Sequence, residues 1–163
     1  MNELAKGVTF EPKSPSNPSR KATARVKNPM PVPTTCPHCG GAVGVSGHEA
    51  IYGGATFGDW PWVYQCQTGC GAYVGMHPFT AIPLGTLATA AIRKARKECK
   101  PFFEALHTTG RLDRTTAYTQ LAAKLGIPVA ECHFGWFDEA TCQRAATASR
   151  ELFLALGAQF RRR

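Results

Sequence analysis

The chain has 163 residues, a net charge of +8, 44% apolar residues and seven cysteines. That length suits one ordinary domain or two small modules with a tail, and an odd cysteine count fits a secreted disulfide scaffold poorly. No apolar run follows Met1-Asn2-Glu3-Leu4-Ala5-Lys6, and no stretch reaches the ~18 apolar residues of a membrane span; a reducing, cytoplasmic setting without a membrane partner is therefore expected.

Residues 1–35 hold six Lys/Arg against two Glu, a charge of +4, with six prolines and almost no apolar periodicity. Such a composition buries too little surface to offset chain entropy, which predicts a disordered basic arm. Lys13, Arg20, Lys21, Arg25 and Lys27 can lie along a polyanion or simply be solvated; both readings stay open.

Residues 36–79 carry no Lys or Arg and two acids, Glu49 and Asp59, a charge of −2. The segment is framed by two cysteine pairs, Cys36-Pro37-His38-Cys39 and Cys66-Gln67-Thr68-Gly69-Cys70, each followed by glycine (Gly40, Gly71). A zinc knuckle turns so tightly that its amides point at the thiolates, and a following glycine lets the chain leave without a Cβ clash. Four thiolates complete a tetrahedral shell with no open position, so one structural Zn²⁺ held by Cys36, Cys39, Cys66 and Cys70 is expected, and a zinc enzyme is not. The 26 residues from Gly40 to Gln65 exceed the usual gap of about 15–20 and suggest an extra hairpin. Strands are predicted at Ala42–Val45 and Glu49–Tyr52 around a Ser46-Gly47-His48 turn, then at Trp62–Cys66 and Ala72–His77. Trp60, Trp62, Tyr64 and Tyr73 form either a minimal core beside the metal or a base-stacking platform. His38, inside the first knuckle, reads as solvated; His48 lies nearby, and His77 before Pro78 reads as packing.

Residues 80–163 carry thirteen basic and seven acidic residues, a charge of +6. After Pro83 the apolar period changes from 2 to 3.6: Leu84, Leu87, Ala88, Ala91, Ile92, Ala95 and Cys99 recur at helical spacing. Arg93, Lys94, Arg96, Lys97 and Lys100 fall on the other face, where they can attract phosphate. Pro101 removes a donor and should restart the helix, which continues through Phe102, Phe103 and Leu106. Asp113 is expected to cap a helix carrying Tyr118, Leu121, Ala122 and Leu125 that ends at Gly126. Asp138 caps a last helix with Cys142, Ala145, Ala146, Leu152, Phe153 and Leu156 inward. Arg161, Arg162 and Arg163 end the chain and are available to anions.

Leu121 to Pro128 reads like the first half of a helix-turn-helix, but Val129–Phe134 is short, carries Glu131 and stops at Gly135, so it serves poorly as a recognition helix. Cys99, His107, Cys132, His133 and Cys142 have ligand chemistry without knuckle spacing; buried thiols between helices are the better reading, and a second metal site stays open. A nucleophile built from Cys132 lacks an orienting third group.

Cys70-Gly71-Ala72-Tyr73-Val74-Gly75-Met76-His77-Pro78, Pro83-Leu84-Gly85-Thr86-Leu87-Ala88, Ala117-Tyr118, Leu121-Ala122, Leu125-Gly126-Ile127 and Cys132-His133-Phe134-Gly135-Trp136-Phe137-Asp138 with Cys142 together resemble a zinc-finger-containing family of unknown function found in tailed phages and prophage-bearing bacteria. The resemblance runs from about Cys36 to Cys142 and implies a phage or prophage origin and a zinc-binding ribbon.

The expected architecture is α+β: an arm at 1–35, a zinc ribbon at 36–79 and a helical part at 80–163 packed on the ribbon. The expected role is a non-enzymatic accessory protein associated with DNA or RNA through Arg93, Lys94, Arg96, Lys97, Lys100 and Arg161–Arg163. The alternative is an adaptor in which the ribbon binds a host or phage enzyme. Scattered carboxylates argue against a magnesium-dependent nuclease.

Overall fold

The computed structural model describes residues 11–160. The first ten residues of the expected arm and Arg161–Arg163 lie outside the described residues. The rest of the arm holds one helical turn, α1 (Arg20–Thr23), whose N-cap Ser19 accepts from the Ala22 amide. The Ser19 amide donates to the Phe79 carbonyl (2.8 Å) and the Thr34 carbonyl accepts from the Val43 amide (3.0 Å), so this stretch is tied to the body at both ends.

Three antiparallel strands, β1 (Val43–Gly47), β2 (Trp62–Cys66) and β3 (Tyr73–Gly75), make a sheet in sequence order. Val43 pairs with Cys66 and Gly47 with Trp62 across the first ladder; Tyr64 pairs with both Val45 and Val74. β2 is central, and its Val63 and Tyr64 are buried. The extra hairpin expected between the cysteine pairs is absent among the described residues. Where a strand was predicted at Glu49–Tyr52, the chain makes a 3-10 turn over His48–Ala50. The amides of Ile51 and Tyr52 both return to the His48 carbonyl (3.0 and 2.9 Å), which satisfies locally the donors a strand partner would need.

The helical stripe expected from Leu84 also begins later. α2 spans Ala90–Glu98, capped by Thr89, whose hydroxyl accepts from the Ile92 amide. Residues 83–88 instead lie along β3. Leu84 donates to the Gly75 carbonyl (2.9 Å), and Ala88 exchanges hydrogen bonds with Tyr73 (3.0 and 3.2 Å). A free sheet edge competes for the same backbone groups a helix would use, and here the edge prevails. Leu87 is accordingly buried in the ribbon's core with Trp60, Tyr64, Val74 and Met76. The Trp60 indole donates to the Thr80 carbonyl (3.0 Å) and the Tyr64 hydroxyl to Ala81 (2.6 Å), tying residues 80–82 to the sheet as well.

Pro101 opens α3 (Pro101–Thr108) as its first residue, where its missing N–H costs nothing. α4 (Arg114–Leu125) starts at Asp113, whose carboxylate accepts from the Thr116 amide at 2.9 Å, and ends at Gly126 with φ +71°. α5 (Glu139–Phe160) starts beside Asp138, which accepts from the Thr141 amide at 2.7 Å. Both caps and the terminating glycine agree with the sequence reading. α5 packs against α2, α3 and α4. Phe103, Leu106, Leu121, Phe134, Phe137 and Cys142 are buried between them. Two 3-10 turns, Val129–Glu131 and Phe134–Trp136, stand where a recognition helix would follow α4.

The two parts meet at a close backbone contact. Thr86 donates to the Gly135 carbonyl (3.1 Å), and a Cβ on Gly85 would sit 2.0 Å from that same oxygen. Only glycine fits there, since real Cβ atoms essentially never come within 3.0 Å of a neighbour.

Candidate metal centre

The register of the sheet builds the site. β2 ends at Cys66 opposite Val43, so the second cysteine pair leaves the sheet directly beside the first. The Gln67 amide donates to the Ala42 carbonyl (2.9 Å) and joins the two turns. Within the first, Gly40 donates to the Cys36 carbonyl (2.9 Å) and Cys36 to the Gly41 carbonyl (2.8 Å). Gly40 and Gly71 occupy equivalent places after each pair with φ of +72° and +76°, a left-handed conformation that a Cβ disfavours.

Cys36 Sγ lies 3.6 Å from Cys70 Sγ and Cys39 Sγ lies 3.4 Å from Cys66 Sγ, so each sulfur faces one from the other pair. All four sulfurs lie within 4.8 Å of one another. A disulfide would need about 2.05 Å. A tetrahedral ion with Zn–S bonds of about 2.3 Å places its sulfurs about 3.8 Å apart, close to what the cluster shows. Among the described residues it is the only group of three or more Cys, His, Asp or Glu side chains arranged to hold a metal ion. Cys36 and Cys66 are buried, and Cys39 and Cys70 form the outer side.

The surroundings of Cys66 and Cys39 favour thiolate over thiol. Cys66 is lowered to about 6, first by the Thr68 hydroxyl 3.0 Å away and then by the Thr68 amide. Cys39 is lowered by the same hydroxyl, at 3.1 Å, and by the Gly41 amide. The Ala72 amide acts in the same sense on Cys70. Contact with Cys66, burial, and contact with Cys36 and Cys39 together outweigh it, and Cys70 is pushed up to about 12. Four sulfurs this close keep a shared proton somewhere, and a divalent cation replaces it. The donor set fits Zn²⁺: four thiolates, three amides on sulfur and one bridging hydroxyl. Bound there, zinc contributes its binding free energy directly to folding.

Thr68 is the functional residue that spacing alone does not reveal. It sits two places after Cys66, inside the second knuckle, and orients a ligand from each pair. Gly41 is its counterpart: a Cβ there would lie 2.4 Å from the Thr68 side chain. Other residues near the centre serve the frame. His38 Nε2 bonds the Leu87 carbonyl (2.9 Å) rather than standing in solvent, and His48 Nδ1 accepts from the Phe57 amide (3.2 Å). Trp60 and Tyr64 are core; Trp62 and Tyr73 are half-buried.

The basic residues of α2 divide in two. The Arg96 guanidinium donates to the carbonyls of Phe137 (2.8 Å) and Thr86 (3.1 Å) and to the Thr86 hydroxyl (2.6 Å). Burial lowers its pKa, and it acts as the bolt between ribbon and helices. Arg93 stacks 3.9 Å over the Tyr73 ring and donates to the carbonyls of Gly71 (3.2 Å) and Ala88 (2.5 Å). Lys94, paired with Glu98 at 3.8 Å, and Lys97 stay exposed, and Lys100 lies 5.9 Å over the Phe134 ring. Cys99, Cys132 and Cys142 are buried thiols between helices; burial pushes Cys99 up to about 12 and Cys132 to about 11.

A family model described as a zinc-finger-containing domain matches residues 32–152. That span begins just before Cys36 and takes in the sheet, α2 to α4 and over half of α5. A search of curated proteins and a search of solved structures find no match. Among the described residues no helix is long and apolar enough to cross a membrane.

Proposed function

We propose that this chain, which belongs to the zinc-finger-containing domain family, is a non-enzymatic accessory protein that associates weakly with DNA or RNA. The carrying observation is segregated charge: +4 on residues 1–35, −2 on 36–79 and +6 on 80–163. Zinc with four thiolates adds two further negative charges to the ribbon, so phosphate is repelled there and drawn to the flanks. Lys94 and Lys97 on α2, with Lys13, Arg20, Lys21, Arg25 and Lys27 of the arm, are exposed cations for this role. Arg93 and Arg96 are committed to the fold and drop out of it. Among the described residues two 3-10 turns, not a base-reading helix, come directly after α4, so the binding is sequence-independent and electrostatic. A cytoplasmic, phage or prophage setting belongs to the same proposal.

Fluorescence anisotropy with unrelated duplexes and single strands tests this. Affinity should fall steeply with salt, by about 0.9 log units per tenfold salt for each phosphate neutralised. Lys94→Glu with Lys97→Glu should weaken all sequences alike. Salt-independent affinity, or strong preference for one sequence, sinks the reading.

One observation favours an adaptor instead. Phe57 and Tyr52 are 59% and 41% exposed and stack with His48 and Tyr73 on the acidic ribbon. A protein captured from nuclease-treated bacterial lysate, retained at high salt and lost in Phe57→Ala, supports that reading over the first.

A further inference from the structure

A cavity of about 420 Å³ opens between α3, α4 and the 134–136 turn, with Leu84 and Gly135 of the ribbon junction at its edge. Its size is within the range of small-ligand sites, roughly 300–1,000 Å³. Lys100, Arg114, Glu104, His107, His133 and Tyr118 line it. The Nε2 atoms of His107 and His133 are both buried without a hydrogen-bond partner. A buried polar atom left unpaired costs about 1–3 kcal/mol, so one in each of two histidines that line the same cavity marks a place where a partner belongs once the rings turn toward it. Among the described residues neither Lys100 nor Arg114 is in a salt bridge. Each is held over an aromatic face instead, Lys100 5.9 Å from the Phe134 centroid and Arg114 5.5 Å from that of Tyr118.

The balance of charge selects the ligand. Two fixed cations oppose one carboxylate, Glu104, and the imidazoles add donors that can become cationic. A metal ion is the wrong occupant, because no group of three ligating side chains forms here. We propose that this cavity binds a small oxyanion of the phosphate type. Lys100 and Arg114 supply charge, and the His107 and His133 rings turn to bring their closed-off Nε2–H groups to its oxygens. The aromatic walls of Phe103 and Phe134 exclude water behind it and strengthen those bonds. The proposal stands apart from polyanion binding by the arm, Lys94 and Lys97. Its anion can be a free phosphate or the terminal phosphate of a strand, and the chemistry is the same.

Calorimetric titration of the zinc-loaded chain with inorganic phosphate at constant ionic strength, with chloride as control, tests it. One saturable site per chain is expected, together with shifts of two imidazole nitrogen resonances among the five histidines. Arg114→Gln, at an exposed helix start, and His133→Gln should each weaken phosphate about tenfold or more, the range for one hydrogen bond to a charged group. If His133→Gln fails to fold, the Arg114 variant decides. Competition with a short 5′-phosphorylated oligonucleotide against its 5′-hydroxyl form separates the sources. Displacement by the phosphorylated form alone assigns a strand end, and displacement by neither assigns a free phosphate. Absence of a saturable phosphate effect, or one undiminished by Arg114→Gln, overturns the proposal and leaves water as the partner of both nitrogens. Loss of salt-dependent nucleic-acid binding with phosphate binding intact would overturn only the polyanion reading.

Discussion

The ribbon and the helical part reach stability by different means. The ribbon has three short strands, a core of eight buried residues in which two of the metal-binding cysteines count, and a loop at 52–59 that is exposed throughout. The helical part buries thirteen residues, among them Phe103, Leu106 and Leu121 at 2% exposure or less. A small sheet of that kind is marginal without a staple, whereas a helical core of this composition is held by burial. One region is therefore governed by the chemistry of four sulfurs and the other by packed apolar area.

The sharpest way to break the comparison is to remove the ion. Cys39→Ser or Cys70→Ser should abolish stoichiometric zinc and erase amide protection across 43–75, while most helical ellipticity persists; structural zinc is worth roughly 10–16 kcal/mol in small modules. Near-native zinc in both variants would show that the cluster is not the ligand set. The reciprocal change is Phe103→Ala, expected to cost about 3–5 kcal/mol through cavity formation. It should lower the helical transition in urea and leave zinc content unchanged.

A smaller effect tests the bolt. Arg96→Met keeps the stem but strands the carbonyls of Phe137 and Thr86, at about 1–3 kcal/mol. Denaturation followed separately by helix ellipticity and by zinc release should then split from one transition into two. If the two probes still coincide, the parts are coupled by other contacts, with the Gly85–Gly135 approach the first to examine.

Acidity supplies the finest distinction. The Cys66 thiol sits at about 6, below its ordinary value, so the thiolate is favoured above that pH and lost as pH falls through it. Zinc affinity should fall by about tenfold per pH unit for each proton it must displace, already for Cys70 at neutral pH and more steeply by one proton below about pH 6. Thr68→Val removes the hydroxyl that lowers Cys66 and Cys39 and should move this dependence upward in pH. A competition titration with a chromogenic chelator reads both. The helical part should show no comparable change near pH 6, because its lowered acids are the cap carboxylates of Asp113 and Asp138. Their contribution is complete above about 4 and lost only as pH falls through their depressed values.

Much of this was legible in the residues. The paired cysteines with trailing glycines name the metal ligands because a knuckle's geometry is local: four or five residues, one turn and amides aimed at sulfur. Asp113, Gly126 and Asp138 mark helix ends for the same reason, since a cap is satisfied within three residues of itself. The stripe from Leu84 misled because Leu87 and Ala88 satisfy a helical period and a sheet edge equally well. Which one they serve depends on β3 lying alongside. Glu49–Tyr52 failed as a strand because an apolar alternation cannot reveal that His48 offers its carbonyl to two amides at once.

What the sequence by itself determined is therefore whatever closes over a few residues: the zinc ligands, the helix caps and the separation of charge along the chain. The tertiary structure alone decided what joins distant segments: Arg96 bolting α2 to Phe137, Thr68 serving both knuckles, and His107 and His133 lining one cavity. The physical reason is that a side chain's chemistry is written in its type, but the partner it meets is set by chain paths that only packing brings together.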